Sequence, residues 1–214
     1  MHFNLEEQEQ IADIKVWWKQ YGLWIIGGIV AVALAYVIYA GWNWYSAKQS
    51  QAASQLYETL MTAAQKQDSS QVLRAADDIE NQYSSTAYAG MAGLIAAQAA
   101  NAAGDIATAE KHLRFTMDKA KSSGHSELAR ARLISLLIDK ADFEGAKKLA
   151  DAKVSDAFKP LMLERQGDIF LAQEQATQAR TYYQQAWDLL IKNPEALDES
   201  KRLLKVKLDA VGGR

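Results

Sequence analysis

The sequence predicts an all-α protein in two parts, a single membrane-spanning helix near the N-terminus and a stack of helical hairpins after it. Three observations carry that reading. Residues 23–40 form a run of eighteen without a charge or a side-chain amide, the apolar residues beyond it recur at helical rather than alternating spacing, and alanines behind the turns return 37 and 33 residues apart. Two prolines and twelve glycines in 214 residues supply too little turn material for a sandwich or barrel. With 49% hydrophobic against 23% charged residues the chain has ample core, so it is not a disordered one. The absence of cysteine removes disulfides, zinc ribbons, iron–sulfur clusters and thiol nucleophiles.

Residues 1–22 read as a cytoplasmic tail with acids Glu6, Glu7, Glu9 and Asp13 and bases Lys15 and Lys19. Asn4 through Glu7 has the form of a capping box, and Ile11, Ile14, Trp18 and Tyr21 then make a stripe, as in a helix resting on a membrane surface or a partner; a floppy tail is the competing view. Residues 23–42 read as the transmembrane helix. Leu23–Ala40 covers ~27 Å as a helix, and Gly41 and Trp42 bring it to the length that spans a bilayer core. Trp17, Trp18, Tyr21 and Trp24 at one end, and Trp42, Trp44 and Tyr45 at the other, form aromatic belts. A cleaved signal peptide would carry a basic leader and a shorter apolar stretch. Lys15 and Lys19 precede the span and only Lys48 closely follows it, which orients the N-terminus inward by a margin of one charge. Gly27, Ala31 and Ala35 recur every four residues, a smooth stripe for another membrane helix.

Residues 43–85 hold a juxtamembrane segment and a first helical pair. Ala53, Leu56, Leu60 and Ala64 mark a helix face that continues from the membrane through Ser46 and Ala47 to about Gln65, setting the next domain at a fixed distance from the lipid; a second helix follows at about Gln71–Asn81. Three hairpins occupy 86–192. Their turns are Gly104-Asp105-Ile106-Ala107-Thr108-Ala109-Glu110, Ala141-Asp142-Phe143-Glu144-Gly145-Ala146 and Glu174-Gln175-Ala176-Thr177-Gln178-Ala179. Spacings of 37 and 33 between Ala109, Ala146 and Ala179 lie near the period of tetratricopeptide hairpins, ~34 residues. The last hairpin matches best, with Leu163, Gly167, Phe170, Ala179, Tyr183 and Ala186 at packing positions. Small residues at Gly167 and Ala179 let two helices cross closely. Ala97 holds the tight position of the first of the three, whereas Ile134 there makes the middle hairpin irregular. Residues 193–214 read as a capping helix, with Asn193-Pro194-Glu195 as N-cap, first-turn proline and acid, and Leu197, Leu204, Leu208 and Val211 on one face. An ordinary helical bundle without a groove remains the competing architecture.

In such a stack the first helix of each hairpin lines a concave surface where partner segments dock. Register from the tight positions gives three rows: Met91, Leu94, Gln98 and Asn101; Leu128, Ser135, Ile138 and Asp139; Leu161, Glu164, Asp168 and Leu171. Apolar residues mixed with amides and acids suit an unfolded or helical polypeptide better than a small charged ligand. The alternative is that these leucines pack against the terminal helix. Residues 46–214 hold 22 acids and 22 bases, so no basic stripe exists for nucleic acid. His112 and His125 have neither HExxH spacing nor a serine and acid in an elbow, His2 lies in the tail, and no phosphate-binding glycine loop occurs. Asp77-Asp78 and Glu6-Glu7 read as solvated acids. The expectation is a protein without catalytic site, cofactor, metal or small-molecule substrate.

An acidic tail, one span and degenerate tetratricopeptide helices, in that order, resemble the YfgM family, ancillary subunits of the bacterial SecYEG translocon. The carriers are Val16-Trp17-Trp18-Lys19-Gln20-Tyr21-Gly22 before the span, Gly41-Trp42-Asn43-Trp44-Tyr45 after it, and the Gly104–Glu110 turn. The resemblance implies an all-α, single-pass inner-membrane protein with a cytoplasmic N-terminus and a tetratricopeptide-like helical-hairpin solenoid in the periplasm. It implies a place beside the translocon and the membrane-anchored chaperone PpiD, helping hand translocated polypeptides to periplasmic chaperones, and a tail linked to a stress-response regulator. A self-associating structural or assembly protein of the envelope is the runner-up.

Overall fold

A computed structural model describes residues 5–212, with side chains from Ile14 onward. His2 and Asn4 of the capping box therefore lie outside the described residues, and the side chains of Glu7 and of Ile11 in the tail stripe lie outside the described side chains. The described residues are all helical or connecting: α1 (Leu5–Gln65), α2 (Ser69–Gln82), α3 (Ala87–Ala102), α4 (Ile106–Lys119), α5 (Ser123–Asp139), α6 (Phe143–Ala150), α7 (Lys159–Ala172), α8 (Ala176–Lys192) and α9 (Asp198–Ala210). They divide into two units, one ending at Lys48 and one beginning at Gln49.

The first unit is the helix that carries the apolar run. None of its most apolar window is buried, and Leu23 and Trp24 are 82% and 83% exposed. A core helix of a soluble protein would bury them, so this segment is long and apolar enough to cross a membrane and has the exposure of one that does. Its ends carry aromatic pairings at one-turn spacing. Trp17 and Tyr21 rings lie 5.8 Å apart, Trp18 lies over Gly22, and Lys48 Nζ stands 5.4 Å from the Trp44 ring centre. β-Carbons built at Gly27 and Gly28 would meet nothing within 4 Å.

The second unit is a stack of four hairpins: the helical pair expected within 43–85, formed by the end of α1 with α2, repeats the turn of α3/α4, α5/α6 and α7/α8. Gln67, Gly104, Ala141 and Glu174 each adopt a positive φ, at 58°, 79°, 57° and 62°. They stand 37, 37 and 33 residues apart. At each, the following N–H reaches five residues back: Asp68 to the Ala63 carbonyl, Asp105 to Ala100, Asp142 to Leu137 and Gln175 to Phe170, at 2.8–3.0 Å. That bond closes the first helix with a left-handed residue. It leaves Asp68, Asp105 and Asp142 as N-caps, whose carboxylates accept from the N–H groups of Gln71, Thr108 and Gly145.

Packing inside each hairpin follows one rule of complementary size. The tight position of the first helix and the position sixteen residues later hold Leu60 and Ala76, Ala97 and Leu113, Ile134 and Ala150, and Gly167 and Tyr183; all eight are buried, the first three couples each within one core cluster and the last in direct approach. Ile134 is thus compensated rather than anomalous. The middle hairpin does depart in length. α6 has only 8 residues, and the loop after it is pinned where Ser155 donates its N–H and Oγ to the Glu127 carboxylate at 2.6 Å each.

The terminal helix begins later than the sequence suggests. Asn193 caps the end of α8; its carbonyl accepts from Ala196 N–H at 3.2 Å and its side chain from Glu195 N–H at 2.9 Å. Proline at the second position of that turn fixes φ for a turn, so Asn193-Pro194 is a β-turn and not a helix start. Helix α9 starts at Asp198 after Leu197, which is 72% exposed and off the packing face. Leu204, Leu208 and Val211 do pack, onto Ala179, Tyr183 and Ala186.

Candidate partner-binding groove

A cleft of about 410 Å³ opens between the first helices of the second and third hairpins. From α3 come Ala97, Gln98 and Asn101; from α5 come Arg132, Ser135, Leu136 and Asp139; Leu113 of α4 supplies the floor. Gln98, Asn101 and Asp139 are exposed. Asp139 has no hydrogen-bond or ion-pair partner among the described residues, so its carboxylate is available. Ser135 Oγ donates to the Ala131 carbonyl at 3.3 Å, and Arg132 donates through one terminal nitrogen to the Leu94 carbonyl at 3.2 Å. That single bond anchors the guanidinium across the two helices and leaves four of its five donors for a ligand. Arg132, Ser135 and Asp139 lie at i, i+3 and i+7, one face of α5.

Four sequence-predicted residues, Gln98, Asn101, Ser135 and Asp139, therefore come together in one cleft. The others go elsewhere. Leu94 is buried in the core, and Leu128, Ile138 and Leu161 are half-buried against the same cluster. Met91 is half-buried, and Leu171 is 42% exposed at the end of α7. Leu161 and Glu164 line a second cleft of about 480 Å³ with Leu189 and Leu190.

Glu164 and Asp168 are engaged within the chain. Lys207 of α9 places Nζ 2.6 Å from Glu164 Oε1 and 2.7 Å from Asp168 Oδ1. Arg165 pairs with the other Asp168 oxygen, and Tyr183 donates its hydroxyl to Asp168 at 2.8 Å. Burial and the Asp168 carboxylate push the Tyr183 phenol well above its usual range, so it stays a donor. The cluster ties the terminal helix to the last hairpin. Arg132 was missed because a lone arginine carries no motif, although its spacing from Ser135 and Asp139 places it on their face.

A second polar cluster lies inside the first two hairpins. His112 Nδ1 is 2.8 Å from Glu80 Oε1, with both side chains buried, and Lys111 holds Asp77 at 2.6 Å beside them. Hydrogen on Nδ1 makes this a donor and acceptor pair; the other tautomer would bury an orphan N–H on Nε2, which has no partner. Asp77, Glu80 and His112 sit close enough to suggest a metal centre. A metal on Nδ1 would force that orphan N–H and displace Lys111, so the geometry favours a brace joining α2 to α4. Burial raises the Glu80 carboxyl above the usual range, partly offset by the His112 hydrogen bond. Between its unfolded and its raised folded value the native state holds the extra proton, so this group's contribution to stability falls as pH rises through that window. Glu80→Gln is expected to keep the acceptor and flatten that slope in thermal midpoints measured from pH 4 to 7. Glu80→Ala strands the His112 donor and is expected to cost about 1–3 kcal/mol in urea unfolding.

Comparison with known proteins agrees with this architecture. A family model described as a tetratricopeptide repeat-like domain matches residues 15–213. A Neisseria gonorrhoeae protein named ancillary SecYEG translocon subunit is 30% identical over 212 residues, covering 99% of this chain and 100% of the relative. A protein of that name from Haemophilus influenzae is 24% identical over 87% of this chain and 91% of its own length. The Aggregatibacter actinomycetemcomitans protein is 28% identical over 98% of this chain and 99% of its own. Together with the apolar helix and the size-matched hairpins, this places the chain in the tetratricopeptide repeat-like family of ancillary SecYEG translocon subunits, the YfgM family.

Proposed function

We propose that this protein is a membrane-anchored interaction scaffold of the SecYEG translocon that receives emerging polypeptide segments in the α3/α5 groove and helps pass them to periplasmic chaperones. In this reading the membrane-anchored chaperone PpiD is a neighbour, and the acidic tail of residues 1–22 has a separate cytoplasmic partner. Lys15 and Lys19 lie on the inner side of the span, with the hairpin unit in the periplasm. The stripe Gly27, Ala31 and Ala35 meets another membrane helix, its nearest position free of any neighbouring side chain.

The observation that carries the reading is the composition of the cleft in a chain similar along its whole length to named translocon subunits. Side-chain amides donate and accept at once, so Gln98 and Asn101 can serve backbone N–H and C=O groups of any sequence. Arg132 and Asp139 lie ~10.5 Å apart along the helix, the span of about three extended residues. Work is done by binding and positioning. Photoreactive residues substituted at Gln98 and Ser135 in intact cells test it. Capture of translocon subunits, PpiD or exported chains is the expected result, and capture of only this chain or of cell-wall machinery would overturn it.

A further inference from the structure

Six large apolar side chains of the hairpin unit are markedly exposed among the described residues: Met61, Leu171, Ile191, Leu197, Leu203 and Val206. Four of them follow residue 190. Terminal elements of a helical stack normally present a polar outer face, because nothing packs beyond them. Helix α9 does not. Its inner side carries Leu204, Leu208 and Val211 against α8. A second stripe runs through Glu199, Leu203, Val206 and Ala210 at intervals of four, three and four residues, with Leu203 59% and Val206 66% exposed. That interval is the seam of a helix pair.

The place of α9 in the stack says what kind of element the seam fits. Helices α3, α5 and α7 are each covered by the second helix of their hairpin, α4, α6 and α8. Helix α9 follows α8 as a first helix would, and no described helix covers it. The open seam has the shape of a slot for one more helix.

Charge selects the occupant. Arg202 and Asp209, seven residues apart, flank the same side of the seam, and both are exposed; Asp209 makes only a long, solvent-exposed 3.7 Å contact to Lys205 of its own helix. Two copies of α9 laid antiparallel about a twofold axis between Leu203 and Val206 set Leu203 of each against Val206 of the other. Asp209 of one copy then falls ~3 Å along the axis from Arg202 of its mate, twice over, and the helix dipoles oppose. A parallel pairing would put the two Arg202 and Asp209 flanks on opposite sides of the seam, where they cannot meet. The surface is self-complementary in the way a twofold interface requires.

From this seam we infer a self-association surface, on which a second copy of this chain lays its own α9 antiparallel. The inference goes beyond the scaffold reading and uses none of the groove residues. Four seam residues bury far less than a stable dimer needs, so the contact is weak between free molecules. Anchoring two copies in one membrane raises their effective concentration and makes it populated.

The chain has no cysteine, so engineered thiols report alone. Full-length Leu203→Cys and Val206→Cys copies, made together in membranes and oxidised with copper phenanthroline, are expected to form a mixed disulfide dimer well above that of an exposed Asp118→Cys control. Arg202→Asp or Asp209→Arg added to both copies is expected to cut the yield several-fold, and both together to restore it. Yields equal to the control, a thiol adduct to a different protein in place of the dimer, or failure of the double charge exchange to restore the dimer would each overturn the inference. All four positions are exposed, and circular dichroism of each variant separates lost pairing from lost fold.

Discussion

Gly167→Ala is expected to destabilise the hairpin unit by about 3 kcal/mol, although it adds a single methyl group. A β-carbon built at Gly167 stands 2.5 Å from Tyr183 Cδ1 and closer still to Cε1, distances that real contacts do not reach. The obstacle is a ring edge, held at its far end by the hydroxyl bond to Asp168. Tyr183 cannot swing aside without releasing that bond, so α7 and α8 must part. In a unit of this size the loss corresponds to roughly 6–12 °C in thermal midpoint. The size rule supplies a rescue. Gly167→Ala with Tyr183→Leu reproduces the Ala97 and Leu113 pair of the second hairpin, and the two changes should be strongly non-additive, with the double variant more stable than Gly167→Ala alone. Additive losses would show that the crossing distance, and not the paired volume, sets the packing.

That rule also explains what the sequence shows and hides. Hairpins with alanine behind the turn, at Ala109, Ala146 and Ala179, are legible from spacing alone. The first is legible as a helical pair but not as a repeat of the others, because Val72 stands at the equivalent buried position and Gln67 at its left-handed turn residue. Only Gly104 announces such a turn by residue type. Ala141 and Glu174 accept the same φ at about 1 kcal/mol each, where the backbone bonds of the turn hold them. Ile134 looks irregular until Ala150 is seen to yield the space. Gln98, Asn101, Ser135 and Asp139 could be placed from register, since it needs only helical periodicity. The engagement of Glu164 and Asp168 could not, because Lys207 stands 43 and 39 residues further on and reaches them only through the packing of α9. Asn193-Pro194 misled because an N-cap and the first two positions of a β-turn favour the same residue types.

Charges placed in the apolar run should release the chain from the membrane altogether. Val30→Asp with Leu34→Asp puts two carboxylates one turn apart near the middle of the span, where each costs about 2.5–3.5 kcal/mol of insertion free energy. The nine Leu, Ile and Val residues between 23 and 40 contribute about 0.3–0.6 kcal/mol each in the other direction. Two charges therefore offset the whole aliphatic driving force, whereas one leaves the outcome near balance. The doubly substituted protein is expected in the supernatant after carbonate washing of membranes, with the native protein in the pellet. Because Gln49 onward is a separate unit, its circular dichroism and unfolding midpoint should not change. Gly27→Leu is the matched control: its β-carbon meets nothing, it adds apolar surface, and anchoring should persist while any contact made by the Gly27, Ala31 and Ala35 stripe is lost. Retention of the doubly charged variant in the pellet would mean that α1 is not what holds this chain in the membrane.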